Sequence, residues 1–232
     1  MRSLPAISVL AFALVAATLW MALDVAPIAQ ESAGGITQKI FYFHVPSAYS
    51  MYIGVGACVL GSIGYLVMRT PGWDALAQAG AELGVLFATI VLITGPLWAR
   101  KAWGAYWAWD PRLTTTLLGT LIFVAYLVLH ATGTGEAEKK FAAALAVMGA
   151  CVMPVIHFSV QLWRGQHPTV ITSRGGGLAP EMGRVLGLGF LAFTVMSATL
   201  LYLRTRIALG EARLAELRTE AVAQGLLKED AV

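Results

Sequence analysis

Six stretches of the chain run for the length of a membrane crossing with almost no charge: residues 5–23, 48–68, 79–97, 115–132, 141–163 and 185–203. A hydrocarbon core of about 30 Å takes about 20 apolar residues of helix, so each stretch is long enough to cross it. None shows the strict apolar–polar alternation of a barrel strand, which leaves helices. The first stretch follows Met1-Arg2 and has the look of a secretory leader. Its apolar run is long for one and no convincing small-residue cleavage pattern follows it, so it is read as a retained span.

The expected fold is therefore all-α: an integral membrane protein built as a six-transmembrane-helix bundle over residues 1–203, with a charged tail over 204–232. In that tail Arg206, Glu211, Arg213, Glu216, Arg218 and Glu220 alternate with Leu209, Leu214, Leu217 and Val222, the pattern of an amphipathic helix. Composition agrees. Hydrophobic residues make up 58% and charged residues 12% of the chain, whereas soluble domains carry about a quarter charged residues. Nothing in it reads as a nucleic-acid surface, and no G-x-x-x-x-G-K-[ST] offers an ATP site.

Six spans put both termini on one side and the connections 24–47, 98–114 and 164–184 on the other. The remaining connections, 69–78 and 133–140, are short turns broken by Pro71-Gly72 and Gly133-Thr134-Gly135. Lysine and arginine do not decide the orientation: nine lie on the terminus side and seven opposite, and removing the tail beyond Arg206 reverses the balance. The run Gly175-Gly176-Gly177 is expected to be a flexible connector.

The unusual chemistry sits in the three connections opposite the termini. Trp103-Gly104-Ala105-Tyr106-Trp107-Ala108-Trp109-Asp110-Pro111-Arg112-Leu113-Thr114 places four aromatic rings, a carboxylate and a guanidinium within ten residues. Of seven tryptophans in the chain, Trp98, Trp103, Trp107 and Trp109 fall within twelve positions. Interfacial tryptophans are common as plain anchors, and Trp98 fits that reading best; a run this dense suits a flat, mostly apolar partner. Asp110 and Arg112, two apart, would not face each other on a helix. They are either the opening groups of the fourth span, with a carboxylate near its positive end, or ligand-contacting and positioning groups, or both.

Only four histidines occur: His44, His130, His157 and His167. His44 precedes the second span and His167 follows the fifth, so both fall in connections on the tryptophan side. Imidazole is a common axial ligand of haem iron, and a bis-histidine haem between two loops is chemically coherent. His157, inside the fifth span, is either a propionate contact or an interhelical hydrogen-bonding group. His130 and Glu82, towards the terminus side, are read as structural or interfacial. Cys58 and Cys151 lie within spans as small hydrophobes, and the absence of C-x-x-C-H excludes covalent haem attachment of the c type.

The tryptophan-rich run resembles the "WWD" signature, roughly W-G-x-x-W-x-W-D-x-R-L-T, of the haem-handling proteins of cytochrome c biogenesis, and matches it at every fixed position. Chain length and span number resemble the CcmC family among them, from the first span to the sixth. Phe43-His44-Val45-Pro46 matches that family's first histidine motif. His167 takes the place of its second histidine, with Ser159-Val160-Gln161 and Trp163 kept but looser surroundings after them.

The resemblance implies a multi-pass protein of the bacterial inner membrane with both termini and the tail in the cytoplasm and the WWD surface in the periplasm. It implies haem b held by His44 and His167 and supported by Trp103, Tyr106, Trp107, Trp109, Asp110 and Arg112. It further implies delivery of haem to a CcmE-like chaperone, in company with a CcmD-like small membrane protein and CcmA- and CcmB-like transporter subunits, with no ATPase or catalytic residue in this chain. The other classes the residues leave open are a bis-histidine b-type cytochrome passing electrons to or from quinone, and a haem-free permease or scaffold subunit.

Overall fold

A computed structural model of the chain describes residues 4–31, 34–133, 135–168 and 177–227. The triple-glycine connector falls largely outside the described residues. Those described contain helices and no strand, and six helical segments are long and apolar enough to cross a membrane. The helices are α1 (Leu4–Trp20), α2 (Phe41–Met68), α3 (Pro71–Trp103), α4 (Pro111–Thr132), α5 (Glu136–Gly149), α6 (Val152–Trp163) and α7 (Pro180–Ala223). The six-span helical bundle expected from the apolar pattern is the fold observed.

Several helices outrun their apolar stretches. α2 begins at Phe41, directly after a 3-10 turn over Gly35–Ile40, so His44 lies in the first turn of a helix rather than in a loop. The reason is burial: Tyr42 is wholly enclosed among Ala22, Ala26, Met182, Val185 and Leu186, which stabilises this turn against α7. α3 runs to Trp103 and stops where Gly104 takes φ 80°, a left-handed conformation that suits glycine. The fifth span is two helices. Pro154 cannot donate to the carbonyl of Ala150 and its ring crowds it, so α5 ends at Gly149 and α6 starts at Val152, with the proline in its first turn. α7 carries the sixth apolar stretch and the charged segment after it as one helix of 44 residues, about 66 Å long and well beyond the hydrocarbon thickness.

Small residues set the packing of α2 on α3. A Cβ on Gly54 would overlap the backbone of Gly84, one on Gly61 that of Ala77, and one on Gly80 that of Cys58. In lipid the hydrophobic effect does not press helices together, so close backbone approach and van der Waals contact hold such a pair. The core around this seam contains Met51, Val55, Cys58, Phe87, Phe123, Tyr126, Met153 and Phe193. A buried hydrogen bond from Ser197 Oγ to Ser50 Oγ, 2.9 Å, ties α7 to α2.

At the terminus end polar groups are paired. Asp74 accepts from Lys139 at 2.7 Å and lies 2.9 Å from His130 Nε2. Glu82 accepts from Arg204 at 2.9 Å, and the same guanidinium reaches Glu211 at 3.0 Å.

Candidate functional site

At the opposite end the three unusual connections converge. The WWD segment is built in three parts. Trp98 and Trp103 ride the last turns of α3, residues 104–106 bend away after Gly104, and 107–110 run extended into α4. Asp110 is the N-cap of α4: its Oδ1 accepts from Arg112 N at 2.9 Å, and Pro111, which has no N–H to leave unsatisfied, takes the first helical position.

The other carboxylate oxygen of Asp110 reaches a segment more than fifty residues away. Oδ2 accepts from Gln166 N at 2.6 Å and from His167 N at 3.4 Å. Asp110 is 5% exposed, so these charge-assisted bonds are sheltered from competing water. The chain makes room for them at Gly165, where an added Cβ would stand 2.5 Å from Asp110 Oδ2. One carboxylate thus starts α4 and tethers the loop that carries His167.

The tethered loop brings His167 to His44. Their ring centres are 6.3 Å apart and the planes 32° from parallel, across 123 positions of sequence (167 − 44). Both rings meet the protein through Nδ1. That of His44 lies 2.8 Å from Thr94 Oγ1 on α3; that of His167 lies 3.1 Å from Pro168 O and 3.4 Å from Arg112 Nη1. The shorter of the last two contacts is to an acceptor, which gives Nδ1 of His167 the proton and Nε2 the lone pair. Among the described residues neither Nε2 has a partner. Burial, with the Arg112 guanidinium beside it, pushes His167 down to about 4, so the ring is neutral at ordinary pH.

The separation of the two ring centres suits a metal that already has equatorial ligands. With metal–nitrogen bonds of about 2 Å and ring nitrogens about 1.1 Å from their ring centres, two imidazoles on opposite sides of one ion have centres roughly 6 Å apart. A bare ion is a poorer fit: among the described residues no group of three or more His, Cys, Asp or Glu is placed to hold one. Haem iron, whose macrocycle supplies four nitrogens, needs only the two.

Arg112 adds positive charge beside the pair. Its Nη2 donates to His157 O at 2.8 Å, while its Nε is buried with no hydrogen-bond partner among the described residues. Buried donors of this kind are costly unless a ligand meets them. The porphyrin propionates are carboxylates of the right chemistry.

The family profile described as heme exporter protein C (CcmC) matches residues 1–220. The chain belongs to this family. The heme exporter protein C of Bradyrhizobium diazoefficiens is 36% identical over 169 residues, which are 72% of this chain and 64% of that protein. That of Escherichia coli K12 is 33% identical over 174 residues, 74% of this chain and 70% of the relative. A putative cytochrome c biosynthesis ccmC-like mitochondrial protein of Arabidopsis thaliana is 29% identical over 195 residues, 84% of this chain and 73% of that protein. The matched region thus spans just under two thirds of the Bradyrhizobium protein.

In this CcmC-family chain the aromatic residues do not form one sheet of rings. Trp98 meets Trp103 edge-to-face at 5.8 Å, and Trp107 meets Trp109 the same way at 5.7 Å. Trp98 also packs on Gly34, where an added Cβ would come within 3.1 Å of its Nε1. Trp109 is 77% and Tyr106 59% exposed, the latter beneath the guanidinium of Arg100.

The other two histidines lie apart from the pair. His130 is held by Asp74 at the terminus end, with Tyr126 against its ring. The His157 ring is on the outer surface against Phe158, and only its carbonyl enters the site, through Arg112. Sequence reading missed Thr94. Its signal, Thr94-Gly95-Pro96 within an apolar span, carries no charge and stands fifty positions from His44.

Proposed function

We propose that this protein binds haem b between His44 and His167 at the periplasmic face of the bacterial inner membrane and delivers it to a CcmE-like haem chaperone during cytochrome c maturation. The observation that supports the reading is the approach of the two imidazoles, each meeting a neighbour through Nδ1 and, among the described residues, without a partner at Nε2. Haem supplies an iron that takes two axial nitrogens and a flat apolar ring bearing two carboxylates. His44 and His167 provide the nitrogens. Arg112, with its unspent buried donor, meets a propionate, and Trp103, Tyr106, Trp107 and Trp109 give the ring an apolar margin that ends at exposed Trp109.

An exposed margin suits hand-over, because a chaperone can approach the haem without the bundle opening. The working unit is this chain with a CcmD-like small membrane protein and CcmA- and CcmB-like transporter subunits, whose ATPase supplies the energy that this chain has no site to supply. Both termini and the charged end of α7 lie on the cytoplasmic side.

The rival cytochrome reading needs ligands at membrane depth, and the histidines available for it are spoken for or turned outward: His130 by Asp74, His157 towards Phe158. The test is the absorption spectrum of the detergent-purified protein beside His44→Ala and His167→Ala. A low-spin bis-histidine spectrum, lost or converted in each variant, is the expected result. Wild-type spectra in both variants would overturn the ligand assignment, and a colourless wild-type protein after haem addition would overturn haem binding.

A further inference from the structure

The side chain of Thr94 has one proton and two neighbours. Its Oγ1 lies 2.7 Å from Ile90 O, one turn back on α3, and 2.8 Å from His44 Nδ1. A carbonyl oxygen only accepts, so the hydroxyl proton goes to Ile90 O. The same oxygen has lone pairs left and no second proton, so towards His44 it can only accept. His44 Nδ1 must then carry the ring proton, and the lone pair must sit on Nε2. A part-buried contact with a hydroxyl thereby chooses the tautomer of a histidine fifty positions away in the sequence.

The surroundings hold this choice in place. α2 and α3 meet backbone to backbone at Gly54, Gly80 and Gly84, so His44 and Thr94 keep their register without long side chains that could repack. One residue after Thr94, Gly95 lies against the ring: a Cβ there would make van der Waals contact with His44 Cε1 at 3.4 Å. His44 has no carboxylate partner among the described residues, so Thr94 alone orients it.

We propose that Thr94 is a positioning residue that holds His44 as the Nδ1–H tautomer with Nε2 offered to iron. This rests on the reading of His44 as a haem ligand. Partners that orient a ligating histidine typically change metal affinity 10- to 100-fold when removed, and the same loss is the expectation here.

The experiment uses the full chain in detergent, as wild type, Thr94→Val, Thr94→Ser and His44→Ala. Imidazole nitrogen NMR of haem-free, ¹⁵N-histidine-labelled protein reads the tautomer directly, with His44→Ala assigning the signal. Haem titration followed by absorbance reads affinity. The expected result is Nδ1–H for His44 in the wild type and the serine variant, loss of that preference in the valine variant, and haem affinity at least tenfold weaker in valine and restored in serine. An Nε2–H wild type, or a valine variant that binds haem as the wild type does, overturns the proposal. His44→Ala with unchanged haem affinity overturns the ligand assignment beneath it, an outcome distinct from failure at Thr94 alone.

Discussion

Asp110 offers the sharpest quantitative test of the site, because both oxygens of one buried carboxylate are spent on backbone N–H groups of two different elements. An amide accepts on its oxygen only. In Asp110→Asn the side chain must therefore give up either the cap of α4 or the loop of His167, and turn an NH2 group towards donors it cannot satisfy. A hydrogen bond to a charged group contributes about 1.5–3 kcal/mol, which at 1.4 kcal/mol per factor of ten predicts a loss of about 10- to 100-fold in haem affinity if the loop is released. If the cap is released instead, about 1 kcal/mol is lost from stability. Asp110→Ala gives up both.

Gly165→Ala attacks the same contact from the other side, since its Cβ would stand 2.5 Å from Asp110 Oδ2. With the carboxylate already removed, that obstruction is gone. A double-mutant cycle on haem affinity and thermal stability should therefore show a double variant far less damaged than the sum of the single ones. Strict additivity, or an Asp110→Ala protein that binds haem with wild-type affinity, would refute the tether.

Gly80→Leu should prevent recovery of folded protein, because its side chain has to displace the backbone at Cys58, whereas Gly56→Ala, with nothing within 4 Å, should melt within about 0.5 kcal/mol of wild type; equal melting curves would refute the close α2–α3 seam. Trp109→Ala, at a ring 77% exposed, should leave the melting temperature unchanged and slow haem transfer to the chaperone. Trp98→Ala should do the reverse, read by the same two assays. In the haem-free protein His167 should titrate near 4 rather than 6.5 by NMR. Its folded-state value lies below the unfolded one, so its share of stability is full above pH 6.5 and is lost as pH falls from 6.5 towards 4, where only the unfolded chain takes the proton. A midpoint near 6.5 would show His167 to be solvated.

The bundle was legible in the sequence because a membrane span is a length-and-composition signal that needs no partner. Ends were less legible. α2 starts at Phe41 because Tyr42 finds a pocket among α7 and the residues just after α1, a tertiary fact with no trace in local hydropathy. The break at Ala150 and Cys151 was written in Pro154, yet an unbroken apolar run concealed it. In the site, His44, His167 and the Asp110–Arg112 pair stand out as polar groups beside apolar spans. Thr94 does not, since a threonine in a span ordinarily bonds its own helix, and Thr94 also does so. Asp110 could be read as a cap from Asp110-Pro111; its grip on Gln166 could not, because no periodicity links residues so far apart.

The two histidines are held by different physics. His44 projects from a helix locked against its neighbour by glycine contacts, and its ring is oriented by a side chain on that same neighbour. Moving it means moving α2. His167 sits after α6, beyond Arg164 at φ 50° and Gly165, on backbone that among the described residues is tied to α4 through the carboxylate of Asp110. Loss of the Oδ2 bonds loosens the loop without moving α2. In the haem-transfer role proposed above, this inequality serves a protein that must both grip its ligand and give it up, because two ligands as firm as His44 would oppose release. The tether of His167 belongs to the aromatic segment: Asp110, which holds the loop, directly follows Trp109, a ring 77% exposed and so open to a docking chaperone in the proposed transfer.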